Sequence, residues 1–208
     1  ATTTLEIWDL LMVRLEGEVN GTSGGIQAYR DMFVAAFPGV TSFDDFNFGH
    51  AAKAMAAYEA SVYQATNAPF DPYLAGDLAA LSDAATRGGV LFMDRARCVQ
   101  CHTGNHFTDH GFHAVGVPQV GPGKDFAGED LGRFRETGEN RDLYRFRTPT
   151  LRNVELTGPW MHDGAYTRLE NVVAHYANPE ESLRNYDASQ LTLLLQPTVD
   201  TDPDRIDA

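Results

Sequence analysis

The feature that most constrains this chain is the pentapeptide Cys98-Val99-Gln100-Cys101-His102. In a C-x-x-C-H pattern, two residues between the thiols let both sulfurs reach the two vinyl groups on one porphyrin edge. The adjacent histidine then lies under the ring, where it can ligate iron. The pattern predicts a covalent haem c, with Cys98 and Cys101 as thioether links and His102 as the proximal ligand.

Three other interpretations of the two cysteines fit the sequence less well. A thioredoxin-like redox pair needs a βαβ context, and no such context is recognisable around Cys98. A zinc site needs a second Cys/His pair at finger spacing, which the later histidines do not supply. A structural disulfide between Cys98 and Cys101 would leave the adjacent His102 without an explanation.

Charge and composition exclude several classes of protein. Sixteen Lys and Arg against 29 Asp and Glu give a net charge of −13, so a general nucleic-acid binder with a basic face is not expected. With 43% hydrophobic and 22% charged residues, the composition is that of an ordinary globular protein. No apolar run approaches the roughly 18 residues that a membrane span requires. We therefore expect neither a nucleic-acid partner nor a membrane span.

Apolar periodicity predicts a mostly α protein. Helical spacing predicts helices over about 3–17, 26–37, 51–62 and 82–93, and the helical pattern returns after Thr167. From Gly104 to Arg147 the sequence is irregular, and only Phe107 to Val117 suggests a short hairpin. Ordered loops of such length usually have their own role, such as wrapping a cofactor. We predict a cytochrome c-like haem domain with long irregular loops around the haem.

Local signals predict where three of these helices begin. Thr3 with Glu6, and Thr167 with Glu170, have the spacing of capping boxes. Ser82 is the predicted N-cap of the fourth helix.

The sixth ligand of the iron has several candidates. Haem iron takes this ligand from His, Met or Tyr, or leaves the position open. On the helix after Thr167, the apolar face directs Tyr176 inward and His175 sideways. On periodicity alone, Tyr176 is better explained as a core tyrosine than as a ligand. The other candidates are Met93, Met161, His106, His110, His113 and His162.

The segment from Phe146 to Gly164, followed by Leu169-Glu170 and Val173 to Tyr176, resembles the C-terminal haem domain of bacterial di-haem cytochrome c peroxidases and the related MauG proteins. The resemblance extends over roughly residues 25 to 180, with further matching segments in the same order. These are Ala35 to Gly39, Pro69 to Leu74, Phe107 to Asp109, Phe112-His113 and Gly116 to Pro118.

In that family, two mostly helical cytochrome c-like domains, each with one haem, meet around a calcium ion. One haem reacts with hydrogen peroxide, and the haem of the C-terminal domain relays electrons from a small donor protein. The family's distal ligand is Met in typical peroxidases and Tyr in MauG, and it lies where Tyr176 stands. The resemblance therefore implies that Tyr176 ligates the iron.

The resemblance implies further binding residues. Main-chain carbonyls of Thr157 and Pro159 would ligate Ca²⁺, which prefers oxygen ligands. Arg147 and Arg152 are candidates to pair with haem propionates, with surface salt bridges as the alternative. His162 is interpreted either as a hydrogen-bonding or electron-path residue near the haem or as a structural histidine held by Asp163.

The chain departs from the family pattern because it contains one C-x-x-C-H. The peroxide-reactive haem domain, which would come first, is missing from it. We therefore interpret residues 25–208 as a single-haem domain, the C-terminal part of a di-haem protein that is truncated at both ends. Residues 1–24 would form an N-terminal helix and loop that the resemblance does not place, and Ala1 to Asn20 has no clear counterpart in the family. A second haem is expected in a preceding domain.

The function implied by the resemblance is reduction of hydrogen peroxide with electrons relayed through this haem. The alternatives are a MauG-like enzyme that oxidises a partner protein through high-valent iron and a non-enzymatic one-haem electron carrier. A small donor protein or a protein substrate would be the partner, and homo-oligomerisation stays open. Covalent haem attachment in this family implies export to the periplasm.

Overall fold

The computed structural model describes residues 4–16, 26–40, 45–65, 67–123 and 128–202. Over these residues the fold is mostly α, as predicted. Eight helices are described: α1 Thr4–Glu16, α2 Gln27–Ala36, α3 Phe48–Val62, α4 Phe70–Leu74, α5 Asp83–Met93, α6 Phe134–Thr137, α7 Leu169–Ala177 and α8 Pro179–Arg184. None of these helices combines the length and hydropathy that a bilayer crossing requires.

The chain divides into two compact units, Ala1–Gln64 and Ala65–Ala208. The first unit contains α1, α2 and α3 around a small core of buried Met12, Phe46 and Ala51. The Trp8 ring stacks on the Phe48 ring with centroids 4.1 Å apart, which joins α1 to α3. The predicted division of the chain at residue 24 stays a prediction.

The second unit carries the C-x-x-C-H motif and the remaining helices. Ser82 caps α5 as predicted, because its Oγ accepts a hydrogen bond of 3.2 Å from the amide of Ala85. Two short strands, β1 Phe112–His113 and β2 Phe146–Arg147, pair antiparallel, with Phe112 opposite Arg147. Long loops connect these elements.

Two local predictions were wrong. The strand β1 does not form a hairpin within residues 107–117, because its partner is the distant β2. Thr167 does not cap α7, which begins after Arg168, because the Thr167 amide and hydroxyl lie 3.2 and 3.4 Å from Oε1 of Gln190 instead. The capping box predicted at Thr3 lies outside the described residues.

Candidate functional site

The C-x-x-C-H motif begins a tight turn just after α5. Arg97 has a left-handed φ of +60°, and a 3-10 turn follows over Cys98–Gln100. Cys98 and Cys101 are free thiols, and the amide of His102 bonds to the carbonyl of Cys98 at 2.9 Å. The turn therefore brings the two sulfurs and the imidazole into one short stretch of chain.

The His102 imidazole is oriented by a backbone carbonyl. Its Nδ1 lies 2.9 Å from the carbonyl oxygen of Phe107. Because a carbonyl can only accept, Nδ1 carries the proton, and the lone pair is on Nε2. A metal-binding histidine usually has this arrangement, with one nitrogen donating to the protein and the other directed to the metal.

A small cluster of aromatic rings packs beside this histidine. The Phe92 ring centroid lies 6.5 Å from His102 and 6.2 Å from Phe107, and the Phe70 ring lies 5.4 Å from Phe107. Phe107 has a φ of +53°, an uncommon conformation for a bulky residue, and one that persists where the surroundings hold it. These contacts fix the residue whose carbonyl orients His102.

A second segment holds the loop that follows the motif. We call residues 103–111 the proximal loop and residues 147–152 the strap. Polar groups of alternate strap residues bond to the proximal loop. The bonds are Thr108 Oγ1 to Thr148 O (2.7 Å), Thr148 N to Gly111 O (2.9 Å), Thr150 Oγ1 to His106 O (2.6 Å) and Arg152 Nε to Asn105 O (2.9 Å). The segment that carried the family resemblance therefore supports the loop behind His102.

The two arginines predicted to pair with haem propionates have protein partners. Arg147 donates from Nη2 to Nδ1 of His110 at 2.8 Å on the surface. The side chain of Arg152 is 14% exposed, and its Nη1 lies 2.6 Å from Oδ1 of Asp71. The propionate assignments stay predictions. Arg152 does form an ion pair, the alternative named from the sequence, but the pair is mostly buried and not on the surface.

Beside Cys101 lies a polar pair. Nε2 of His113 bonds to Oδ2 of Asp109 at 2.9 Å, and the ligand atoms of Cys101, Asp109 and His113 lie within 4.8 Å of one another. Hydrogen bonds from His113, Thr148 and the Gly111 amide lower the pKa of Asp109 to about 2. Burial raises the pKa of the Cys101 thiol, and neighbouring Asp109 raises it further. A thioether at Cys101 would remove the ionisable thiol from this group.

Tyr176, near the end of α7, lies close to the motif. Burial of the hydroxyl raises the pKa of Tyr176, and the nearby thiols of Cys101 and Cys98 raise it further, although the residue as a whole is 51% exposed. The structure thus brings together two thiols, an imidazole with a directed lone pair and a phenol. This donor set fits a c-type haem, which takes thioethers at its edge and nitrogen or oxygen ligands at its iron.

The neighbouring His175 corrects the predicted orientation of α7. His175 is fully buried and Tyr176 is half-exposed, so the prediction that Tyr176 points inward and His175 sideways was wrong. The predicted apolar face includes Val173, which is 65% exposed. His175 is buried because both ring nitrogens have partners, with Nε2 2.7 Å from the Val115 carbonyl and Nδ1 3.1 Å from the Tyr166 hydroxyl.

His162 packs on an aromatic ring. Its ring stacks on Phe146 with centroids 3.5 Å apart, and its Nε2 is 4.0 Å from Oδ2 of Asp163, beyond hydrogen-bond length. The two side chains thus lie within ion-pair distance only, and the alternative in which Asp163 holds His162 stays a prediction. Asp163 also accepts from the amides of Val120 and Ala165, both at 3.1 Å. Burial lowers the pKa of His162 to about 4 and raises the pKa of Asp163 to about 6.

Thr157 and Pro159 lie in an exposed turn. Next to this turn, the indole Nε1 of Trp160 donates to the carbonyl of Val154 at 2.7 Å. The assignment of Thr157 and Pro159 as calcium ligands stays a prediction.

Sequence reasoning missed several residues that support the site. Asp71 lies in a segment noted for family resemblance, and Phe107 lies in another such segment and at the start of the suggested hairpin, so their contacts could have been sought there. Tyr166, whose hydroxyl contacts Nδ1 of His175, and Ser182, whose Oγ lies 2.9 Å from that hydroxyl, carry no sequence signal, because their roles depend on partners in other elements.

Comparison with known proteins places these features in a family. A family model described as di-haem cytochrome c peroxidase matches residues 11–79. Cytochrome-c peroxidase IdrP1 from Denitromonas iodatirespirans is 38% identical over 168 residues, covering 69% of this chain and 45% of the relative. Methylamine utilization protein MauG from Methylophilus methylotrophus is 36% identical over 155 residues, covering 73% and 42%. Cytochrome c551 peroxidase from Pseudomonas aeruginosa is 35% identical over 162 residues, covering 78% and 46%.

A solved structure also matches. The crystal structure of a MauG-like protein associated with microbial copper homeostasis aligns with a TM-score of 0.59 and 29% identity, covering 80% of this chain and 54% of that chain. This chain spans less than half the length of the three curated relatives. Its fold and its sequence agree on one assignment: the chain belongs to the di-haem cytochrome c peroxidase and MauG family, which implies a c-type haem.

Proposed function

We propose that this chain holds one c-type haem and, within a di-haem protein of the periplasm, relays electrons for the reduction of hydrogen peroxide. The observation that carries the proposal is the geometry around His102. Its Nδ1 is fixed by the Phe107 carbonyl at 2.9 Å, so Nε2 is the nitrogen available to iron. Relatives named cytochrome c peroxidases support the reaction class.

In this proposal each residue of the site has a distinct task. When bound, a c-type haem supplies one-electron redox chemistry at its iron. Cys98 and Cys101 would hold the haem through thioether links, and Nε2 of His102 and the phenol oxygen of Tyr176 would be the ligands of its iron. A phenolate is a hard anionic ligand, so Tyr176 would favour the ferric state relative to the Met of typical peroxidases. A second haem in a preceding domain completes the proposal.

A MauG-like activity, oxidation of the side chains of a partner protein, is the second candidate. The tyrosine at position 176 favours it, as do relatives named MauG that are 36% and 34% identical. A one-haem electron carrier is the third candidate, and it requires no reaction with peroxide. In the peroxidase and MauG-like candidates, the main-chain carbonyls of Thr157 and Pro159 would also hold a Ca²⁺ ion.

Haem attachment is tested on the chain expressed with a c-type haem attachment system. Intact mass should increase by one haem, and the pigment should stay with the protein in acidic acetone. Cys98→Ser and Cys101→Ser should each leave a single thioether, which shifts the pyridine haemochrome band. A colourless protein, or a pigment that acidic acetone extracts, would contradict the proposal.

The Tyr176 ligand is tested by spectroscopy. Tyr176→Phe should change the ferric low-spin spectrum, whereas Tyr58→Phe, at an exposed position of α3, should leave it unchanged. Identical spectra for wild type and Tyr176→Phe would return Tyr176 to a packing role.

Assays on the protein produced from the complete gene distinguish the three candidate functions. A peroxidase should oxidise a reduced small c-type cytochrome catalytically when hydrogen peroxide is added. A MauG-like enzyme should show little such turnover but form a long-lived oxidised species. A protein that carries one haem in total and does not react with peroxide would be an electron carrier.

A further inference from the structure

We infer that the ion pair between Asp71 and Arg152 positions the proximal histidine, His102, through the carbonyl of Phe107. The inference rests on the proposed role of His102 as a haem ligand. Asp71 belongs to α4, Phe107 to the proximal loop and Arg152 to the strap. Three segments distant in sequence therefore meet behind one imidazole.

The ion pair between Arg152 and Asp71 is short and mostly shielded from water. Nη1 of Arg152 lies 2.6 Å from Oδ1 of Asp71, and the two side chains are 14% and 22% exposed. The same Nη1 donates to the Ala65 carbonyl at 3.2 Å, and Oδ2 of Asp71 accepts from the Ala68 amide at 3.0 Å. A charge-assisted pair with these additional bonds is stronger than an exposed ion pair. It therefore joins the strap firmly to α4.

Contacts with Asn105 and Phe107 connect the ion pair to His102. Nε of Arg152 donates to the Asn105 carbonyl at 2.9 Å, and its guanidinium lies 5.5 Å from the centre of the Phe107 ring. On the α4 side, the Phe70 ring lies 5.4 Å from the Phe107 ring. Phe107 is thus held from the strap and from α4, and its carbonyl accepts the Nδ1 proton of His102.

The hydrogen bond at Nδ1 of His102 affects how the ring binds a metal. In a ligating histidine, a hydrogen bond from the nitrogen that does not bind the metal fixes the ring orientation and raises the basicity of the ligand. The Asp71–Arg152 pair holds the accepting carbonyl of Phe107 in place and therefore influences both properties. The pair also consists of two opposite charges, so loss of either residue leaves the other charge uncompensated and mostly buried. Arg147 differs, because its contact to His110 is exposed.

Because Asp71 and Arg152 carry opposite charges, removing one or the other should shift the haem midpoint potential in opposite directions. In the haem-loaded protein, Asp71→Asn leaves the Arg152 cation uncompensated, which favours the reduced haem, so the midpoint potential should rise. Arg152→Gln leaves the Asp71 anion uncompensated, so the potential should fall. The double variant should return towards the wild-type potential. A purely structural role would not move the potential in opposite directions.

The orientation of the His102 ring can be measured separately by electron paramagnetic resonance. Arg152→Lys keeps the charge, but one ammonium cannot reproduce the bonds that Nε and Nη1 make to Asn105, Ala65 and Asp71. The ferric electron paramagnetic resonance signal of Arg152→Lys should therefore broaden and shift, because the His102 ring is less well fixed. Arg184→Gln is the matched control, since Arg184 pairs with Glu180 on the exposed surface of α8.

Two results would overturn the inference. One is a potential that moves in the same direction in both single variants, or no further than in Arg184→Gln. The other is a wild-type resonance signal in Arg152→Lys. If Arg152→Gln does not fold, Asp71→Asn and Arg152→Lys decide the question. Failure of haem attachment in the wild-type chain contradicts the proposed function instead, so the two failures are distinguishable.

Discussion

The hydroxyl of Tyr166 lies 3.1 Å from Nδ1 of His175, and both side chains are buried. Because Nε2 of His175 donates to the Val115 carbonyl, Nδ1 is the acceptor, and the Tyr166 hydroxyl donates to it. Oγ of Ser182, 2.9 Å away, then donates to the Tyr166 oxygen. This series of hydrogen bonds fixes the rotation of α7, and with it the direction of Tyr176.

Removing the Tyr166 hydroxyl tests this network. Tyr166→Phe keeps the ring but leaves the buried Nδ1 of His175 without its donor, which should cost about 1–3 kcal/mol of unfolding free energy. Urea unfolding followed by circular dichroism measures the loss. Tyr58→Phe, on the surface of α3, should stay within about 0.5 kcal/mol of wild type. Equal stability of the two variants would show that the Tyr166 bond contributes nothing.

The adjacent His162 and Asp163 should respond to pH in opposite directions. The pKa of His162 is lowered by burial from 6.5 to about 4, so its stabilising contribution is complete above pH 6.5 and is lost as pH falls towards 4. The pKa of Asp163 is raised by burial from 3.8 to about 6, so its contribution is complete below pH 3.8 and is lost as pH rises towards 6. At about 1.4 kcal/mol per pKa unit, each effect is about 3 kcal/mol, and the two offset each other.

Single variants should reveal each slope. Asp163→Asn leaves the His162 effect, so stability relative to wild type should rise between pH 4.5 and 6.5. His162→Phe leaves the Asp163 effect, so relative stability should fall over the same range. Urea midpoints at the two pH values measure both. Parallel pH profiles for the wild type and both variants would contradict the assigned pKa shifts.

Gly132 occupies a place with no room for a side chain. Its φ is +59°, and a Cβ there would meet the Arg145 carbonyl oxygen at 2.5 Å. Gly132→Ala should therefore destabilise the protein by at least about 2 kcal/mol. Gly89→Ala, in open space on α5, should instead stabilise it by about 0.5–1 kcal/mol, because alanine favours helix. Thermal unfolding of the two variants should show shifts of opposite sign.

The calcium prediction can be tested in the turn that contains Thr157 and Pro159. A Cβ on Gly158 would lie 3.0 Å from the Trp160 ring, so Gly158→Ala should displace the turn and its carbonyls. We expect Ca²⁺ binding to the chelator-treated protein, measured by calorimetry, to weaken several-fold in this variant. Gly89→Ala should bind like the wild type. Absence of Ca²⁺ binding by the wild-type protein would refute the assignment.

Local features of this protein were predictable and distant ones were not. The C-x-x-C-H motif, the positions of α1, α2, α3 and α5, and the Ser82 cap depend on residues a few positions apart. The roles of Asp71 and Arg152 depend on partners 81 positions apart, so periodicity carried no trace of their pairing.

The orientation of α7 was wrongly predicted for a related reason. A helical wheel ranks residues by their own hydropathy, and His175 ranks low on that scale. The carbonyl of Val115, 60 positions away, and the Tyr166 hydroxyl satisfy both ring nitrogens and make burial of His175 favourable.

The strap meets the proximal loop through bonds between residues 37 to 47 positions apart. Contacts of such separation form late in folding, because a long stretch of polypeptide must first be closed into a loop. The cysteine-bearing peptide forms its turn from bonds between neighbouring residues, whereas the loop behind it reaches its final shape only when the strap packs on it. Enclosure of the motif is therefore a tertiary event, separate from the local folding of the turn.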